Sequence, residues 1–225
     1  MPDESTAPGE GAHTSGTGRL VMLTAWAVLL LGLWLWGREA TGLPDTATGD
    51  LAGLGRAYDG APLPAPAKPL GPSAPRRLDI PQLAVQAPVM SRGLDNKGAI
   101  VPPPFNQPGV VGWYGAGTAP GAPGTALLVG HVDTTTKAAV FYKLSTLRPG
   151  EKVRVVRADD KVAEFTIDDV QVIPLTDFDA DRAYGTRKPG RAELRLITCG
   201  GTFDRTTQSY TANVVVSAYL TATGP

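Results

Sequence analysis

The feature that most constrains the fold is a series of short apolar runs that occupies the chain from residue 77 onwards. Val, Ile, Leu and Thr dominate these runs, several alternate apolar and polar residues, and turn-forming residues separate them. This pattern is typical of β-strands with one buried face. The runs are LDIPQLAVQAPV (78–89), TALLVGHV (125–132), KVRVV (152–156), KVAEFTIDDVQVI (161–173), AELRLITC (192–199) and TANVVVSAYL (211–220).

These runs predict an all-β domain over residues 77–225, long enough to close into a barrel around its own core. The segment FYKLSTL (141–147) favours a helical turn, and the turn signal Arg148-Pro149-Gly150 follows it. The 27 glycines and 21 prolines of the chain argue against a helical bundle, because both residues destabilise helix interiors.

A second feature is an uncharged apolar stretch of eighteen residues, LVMLTAWAVLLLGLWLWG (20–37). As a helix rising about 1.5 Å per residue it would cover roughly 27 Å of bilayer. Three of the four tryptophans lie in it, two of them near one end, where indole rings favour the membrane interface. A cleaved signal peptide and a buried core helix are the alternatives, but the preceding segment is acidic and no good cleavage site follows. We therefore predict a single transmembrane helix.

The segments on either side of this helix have the composition of unfolded chain. Residues 1–19 are small and polar and predict a disordered cytoplasmic tail. Residues 38–76 are rich in Pro, Gly and Ala and predict an extended stalk that holds the β domain away from the membrane.

Charge and ligand-forming residues exclude several classes of function. The formal net charge is zero, so the chain lacks the basic excess of a nucleic-acid-binding protein. One cysteine and two histidines are too few for a structural zinc site, and we predict no metal and no cofactor. The acidic residues Asp168, Asp169, Asp177, Asp179 and Asp181 lack the later positions of a calcium-binding loop, which favours a solvated acidic loop.

The single cysteine and one of the histidines stand at predicted strand ends. Cys199 ends one run and precedes Gly200-Gly201, and His131 follows Gly130 at the end of another. A rigid sheet can hold a thiol and an imidazole at such ends as a nucleophile and its proton partner. A buried filler cysteine, an intermolecular disulfide and a structural histidine remain open as alternatives at this stage.

The motifs around these two residues resemble the sortase family, the membrane-anchored cysteine transpeptidases of Gram-positive bacteria. The segments are GWYGAGTAPGAPGTALLVGHVD (112–133) and LRLITCGGTFD (194–204), with LDIPQLAVQAPV upstream and NVVVSA (213–218) downstream. The Gly-rich loop and the ITCGG sequence resemble the class E/F enzymes of actinobacteria. The resemblance covers roughly residues 76–222 and implies a closed sortase-like β-barrel of about eight strands with short helices.

Carried over residue by residue, the resemblance implies a catalytic centre. His131 matches the family's histidine, and Cys199 matches its nucleophile at the end of a TLxTC-like strand. Arg205 is the only arginine after Cys199 and is predicted to be the third member, although family members usually carry it later. Backbone amides or Asn213 are the alternative for stabilising the oxyanion.

Three further residues are candidates for substrate binding. Thr198 is expected to line the peptide site, with core packing as the alternative. Asp133 would orient the imidazole or cap a turn. Trp113 would belong to a mobile loop near the groove, or would anchor that loop.

The implied function is cleavage of an LPxTG-like sorting signal between Thr and Gly through a thioester. Transfer to the amine of a cell-wall precursor or a pilin would follow, in an enzyme anchored in the cell membrane with its catalytic domain outside. An L,D-transpeptidase and a non-catalytic anchored module with a sortase fold are the alternatives.

Overall fold

The structure is a computed structural model that describes residues 62–96, 98–177 and 179–225. Its described part consists almost entirely of strands, with one helix of five residues, α1 (Ala180–Tyr184), and three short 3-10 turns at Pro81–Leu83, Leu144–Thr146 and Leu175–Asp177. The strands are β1 (Pro75–Ile80), β2 (Val85–Arg92), β3 (Val111–Tyr114), β4 (Gly124–Val129), β5 (Lys152–Arg157), β6 (Val162–Pro174), β7 (Ala192–Asp204) and β8 (Ser209–Gly224).

These strands close into a barrel in the order β1-β2-β3-β4-β7-β8-β6-β5. The β2–β3 and β4–β7 pairs are parallel, and all other neighbouring pairs are antiparallel. The expectation of an all-β closed barrel of about eight strands with short helices is confirmed. Closure satisfies the backbone hydrogen bonds that the edges of an open sheet would leave unpaired.

Strand alternation divides the buried apolar side chains into two clusters. The barrel core takes side chains from all eight strands, among them Leu128 of β4, Leu196 of β7 and Val216 of β8. The outer cluster takes the alternate positions Val129, Ile197 and Val215 and is covered by Ile100 and Ala183. Because successive side chains of a strand point to opposite faces, this division fixes which residues reach the outside of β4, β7 and β8.

Three strand predictions differ from the structure. The run 78–89 forms two strands, because the 3-10 turn at Pro81–Leu83 breaks it and Ala84 turns with φ of 52°. Residues 113–114 belong to β3 and not to a loop. β7 continues to Asp204 instead of ending at Cys199, because the ladder with β8 resumes at Phe203 after an irregularity that starts at Gly200.

The residues before β1 also contact the barrel. Ala67 N–H donates to the Leu220 carbonyl at 2.9 Å, and Leu70 N–H donates to the Gly121 carbonyl at 2.8 Å. Tyr219 OH donates to the Pro64 carbonyl at 2.6 Å. Residues 64–71, part of the predicted stalk, are therefore hydrogen-bonded to the barrel. The bonds use the carbonyl groups of the segment and the N–H groups of its non-proline residues.

The predicted anchor at 20–37 and the tail at 1–19 lie outside the described residues. In the part of the chain that the structure describes, every helix is too short to cross a bilayer.

Candidate active site

His131 follows the end of β4 and is almost fully buried. Gly130 directly before it lies against the side chains of Phe141 and Val140, where an added Cβ would approach Phe141 Cδ2 to 2.6 Å. Such a separation is shorter than a normal carbon contact, so a larger residue here would have to displace the Phe141 ring. The backbone behind the imidazole is therefore packed tightly onto the segment that follows it, which fixes the position of His131.

Cys199 lies inside β7 and is exposed. Its side chain shares the outer face with Ile197, because the two positions are separated by one residue. Two residues later Gly201 has φ of 76°, a left-handed conformation that favours glycine, at the irregularity between β7 and β8. The Gly-Gly pair thus bends the strand just beyond the thiol without ending it.

The parallel β4–β7 ladder brings the two residues together. Val129 pairs with Ile197, and Gly130 N–H donates to the Ile197 carbonyl at 3.1 Å. His131 and Cys199 each lie two residues beyond this pair. The register therefore puts both residues at the same end of the β4–β7 ladder, at matching positions beyond its last pair.

The imidazole of His131 has two neighbours in the loop between β2 and β3. Its Nε2 lies 2.6 Å from the carbonyl oxygen of Pro103, and the ring of Phe105 stacks on it with centroids 4.3 Å apart. A carbonyl oxygen only accepts hydrogen bonds, so Nε2 carries a proton in this arrangement. Phe105 itself is 69% exposed, so its ring covers the imidazole from the solvent side.

Asp133, two residues after His131, connects this segment to the hairpin that carries the thiol. Its Oδ2 accepts a short hydrogen bond from the hydroxyl of Tyr210 at the start of β8. That carboxylate raises the pKa of Tyr210 to about 12. Partial burial raises the pKa of the Cys199 thiol, and the negative charge of Asp133 raises it further.

The two candidates for oxyanion stabilisation lie at different places. Asn213 of β8 pairs directly with Cys199, and directly opposed residues of an antiparallel pair have Cβ atoms about 5 Å apart on the same face. Arg205 lies in the exposed turn after β7, six positions beyond Cys199. The structure thus places Asn213 directly opposite Cys199, whereas Arg205 lies at the tip of the hairpin.

A family model of the sortase domain matches residues 78–221. The chain belongs to the sortase family. It is therefore a sortase cysteine transpeptidase, and this assignment replaces the L,D-transpeptidase alternative. No curated protein matches the chain by sequence.

Solved sortase structures are similar to the barrel in fold. Sortase C-1 from Actinomyces oris is 21% identical over 65% of this chain and 71% of its own, with a TM-score of 0.49. Sortase C-1 from Streptococcus pneumoniae is 22% identical over 64% of this chain and 65% of its own, with a TM-score of 0.48. A lid mutant of sortase A from Corynebacterium diphtheriae is 16% identical over 69% of this chain and 74% of its own, with a TM-score of 0.50.

The remaining predicted residues of this sortase face away from the thiol. Thr198 points into the barrel, is almost fully buried, and has a hydroxyl without a hydrogen-bond partner among the described residues. Trp113 packs against the barrel core, and its indole N–H donates to the Thr118 carbonyl at 3.1 Å. Thr198 is thus placed as in the core-packing alternative, and Trp113 as in the alternative in which it anchors the glycine-rich loop.

The connection between β6 and β7 lies against the outer face of the sortase barrel. Glu193 of β7 is fully buried and accepts hydrogen bonds from the backbone N–H groups of Arg187 and Lys188 and from the side chains of Arg191 and Arg195, at 2.9–3.0 Å. Arg195, also buried, donates to the Gly185 carbonyl at 2.9 Å. This buried carboxylate therefore fixes the connection onto β7.

A cleft of about 250 Å³ lies between this connection and the outer faces of β6 and β8. Val215 and Ser217 line it, and Val215 follows Asn213 by two residues, about 7 Å along β8. Asp168 and Asp169 belong to β6 and pair with Arg187, so they are not part of a solvated loop. The cleft continues the outer face that carries Cys199.

Sequence reasoning missed three neighbours of the catalytic centre, namely Tyr210, Pro103 and Phe105. Tyr210 gives no local signal, because only the β7–β8 register and the fold around His131 bring it to Asp133. The run PPPF (102–105) does carry one, since three prolines stiffen a loop and hold the phenylalanine after them at a fixed place.

Proposed function

We propose that this sortase cuts an LPxTG-like sorting signal with the thiol of Cys199 and transfers the acyl part to an amine. The observation that supports this most is the β4–β7 register, because His131 and the exposed Cys199 each follow its last pair, Val129 and Ile197, by two residues. The cleft lined by Val215 and Ser217 lies further along β8 and would take part of an extended peptide.

The first half-reaction needs a thiolate and an acid. The Cys199 thiolate attacks the carbonyl carbon of the scissile peptide bond, and the C–N bond then breaks. His131 takes the thiol proton of Cys199 as the thiolate forms and, as the imidazolium ion, gives a proton to the departing amine and returns to its neutral form. Substrate entry would exchange the contact of Nε2 with the Pro103 carbonyl for one with the leaving nitrogen. The product is a thioester on Cys199.

Attack by the thiolate gives a tetrahedral intermediate with a negative charge on the former carbonyl oxygen. A hydrogen-bond donor near the thiol is needed to stabilise this charge. Arg205 remains the predicted arginine for this role, and Asn213 is the candidate that lies directly opposite Cys199. A donor of this kind is typically worth about 2.7–4 kcal/mol of transition-state stabilisation. Loss of turnover by two to three orders of magnitude in Arg205→Ala or in Asn213→Ala identifies which side chain supplies it.

The cellular setting is part of the same proposal. The apolar segment 20–37 would anchor the enzyme in the cell membrane, with the barrel outside, where secreted proteins are available. The acceptor would be the amine of a cell-wall precursor or of a pilin. Within the family, the ITCGG sequence and the Gly-rich loop support a class E/F-like enzyme.

An intact-mass experiment tests the proposal. The isolated barrel, residues 62–225, is incubated with a library of LPxTG-like peptides, and thioester formation is read as a mass increase on Cys199. Cys199→Ala should abolish the adduct, and His131→Ala should leave a folded barrel that acylates poorly. Wild-type protein that reacts with a methanethiosulfonate reagent but with no peptide of the library would contradict the proposed substrate class. Failure to react with either would favour the non-catalytic module.

A further inference from the structure

Asp133 places a negative charge beside a residue that must itself become negative. Its charge raises the pKa of the Cys199 thiol, so it opposes formation of the thiolate that starts the reaction. None of the described lysines or arginines pairs with it, and it is only partly buried.

A hydrogen bond from Tyr210 also holds the Asp133 carboxylate in place. Tyr210 OH donates to Oδ2, and Tyr210 is steadied by Phe203, its partner in the β7–β8 ladder, through an edge-to-face contact with centroids 5.2 Å apart. An isolated antiparallel β-bridge to Ala138 fixes the backbone of Asp133. With Oδ2 engaged by Tyr210, Oδ1 is the oxygen that no described donor takes.

We propose that Asp133, positioned by Tyr210, is the binding site for the ammonium group of the acceptor. This inference rests on the proposed function, because an acceptor is needed only once a thioester exists on Cys199. A primary amine is an ammonium ion at neutral pH. A partly buried carboxylate that lies two residues after His131 and is bonded to Tyr210, on the strand that pairs with Cys199, offers it an ion pair and a charge-assisted hydrogen bond. The site thus selects alkyl ammonium acceptors, such as the N-terminus of a glycine peptide or a lysine side chain.

The proton transfers of the second half-reaction balance in this arrangement. After acylation, His131 is neutral, because it has given a proton to the departing amine. The ammonium held by Asp133 loses one proton to His131, its nitrogen lone pair attacks the thioester carbon, and the C–S bond breaks. The nitrogen loses a second proton, which the Cys199 sulfur takes as it leaves. An amide, a thiol and a protonated histidine result.

Two acceptors of different charge test the inference on the same thioester. Triglycine is an ammonium at neutral pH, whereas hydroxylamine is uncharged, and both release the acyl group from Cys199. In Asp133→Asn, kcat/KM for triglycine should fall by about tenfold or more, which is the effect of one lost charge-assisted hydrogen bond. The rate at which hydroxylamine releases the acyl group should change by less than about twofold. Asp133→Glu should restore part of the triglycine reaction.

Matched variants separate this role from a structural one. Asp160→Asn removes an exposed carboxylate that pairs with Arg76 far from the site, and it should leave the ratio of triglycine to hydroxylamine release unchanged. Tyr210→Phe should lower that ratio less than Asp133→Asn does, because the carboxylate stays but loses its hydrogen bond. The wild-type enzyme gives a further readout: added salt should raise the triglycine KM and leave hydroxylamine release unaffected.

The outcomes distinguish the two proposals. If wild-type protein forms no thioester, the proposed function fails and the acceptor site with it. If the thioester forms and Asp133→Asn keeps the wild-type ratio, the acceptor site is wrong and the proposed function stands. If Asp133→Asn does not fold, a wild-type triglycine KM that is independent of salt overturns the inference.

Discussion

Removal of the carboxylate of Glu193 should destabilise the barrel far more than removal of an ordinary acidic residue. Glu193 is fully buried and accepts hydrogen bonds from two backbone amides and from the side chains of Arg191 and Arg195. In Glu193→Ala the buried Arg195 keeps its charge and loses its carboxylate partner. Breaking a buried pair in this way typically costs about 3–5 kcal/mol.

That cost is measurable by denaturation. For a domain of this size, each kcal/mol lowers Tm by about 2–4 °C, so Glu193→Ala should melt about 6–20 °C below wild type. Urea unfolding gives the free energy directly, and Glu151→Ala, which removes a carboxylate bonded at 2.9 Å to the exposed backbone of Arg148, provides the control. A loss below about 1 kcal/mol in Glu193→Ala would refute the assignment of this residue as the anchor of the β6–β7 connection.

The same carboxylate gives the barrel a pH dependence with a definite sign. Burial acts to raise the pKa of Glu193, but hydrogen bonds from the Arg187 backbone, Arg195 and Arg191 outweigh it, and the net pKa lies below its ordinary value. A group whose pKa is lowered by folding contributes stability above its unfolded pKa, and this contribution disappears as the pH falls through the folded pKa. The stability difference between wild type and Glu193→Gln should therefore shrink in acid; a difference independent of pH would contradict it.

Three further substitutions test the site and its surroundings. Gly130→Ala should destabilise the barrel by about 1–3 kcal/mol in urea unfolding, because the new Cβ meets the Phe141 ring at 2.6 Å; unchanged stability would mean that this packing yields easily. Asp133→Asn should move the pH profile of Cys199 modification by a methanethiosulfonate reagent to lower pH, since it removes a charge that raises the thiol pKa; a shift to higher pH would reverse the assigned sign. Thr198→Val should be neutral or stabilising in thermal unfolding, because the buried hydroxyl has no described partner; a loss above about 1 kcal/mol would reveal one.

Much of the barrel could be predicted because long runs such as 161–173 and 192–199 carry the alternation of a half-buried strand. β3 could not be predicted from the sequence, because it has only four residues and lies in a glycine-rich segment. The sequence predicts that β7 ends at Cys199, because Gly200-Gly201 has the composition of a turn. In the structure the strand bends at Gly201 and continues to Asp204.

The site was predictable only as far as local sequence reaches. The positions of Cys199 and His131 next to glycines marked both as candidates, but their adjacency depends on a parallel ladder that sequence does not reveal. The same holds for Asn213, which the β7–β8 register sets opposite Cys199, and for Tyr210, which meets Asp133 only in the folded barrel. Local patterns predict strands, whereas pairing decides which side chains meet.

The parallel β4–β7 ladder has a consequence for when the enzyme becomes active. It joins segments about 70 residues apart in the chain, with β5, β6 and the connection to β7 between them. Contacts of such long sequence separation close large loops and form late in folding. A partly folded chain thus holds a lone thiol without its acid, and reactivity toward peptides arises only when the barrel closes. The time at which thiol and acid meet is therefore set by closure of the barrel.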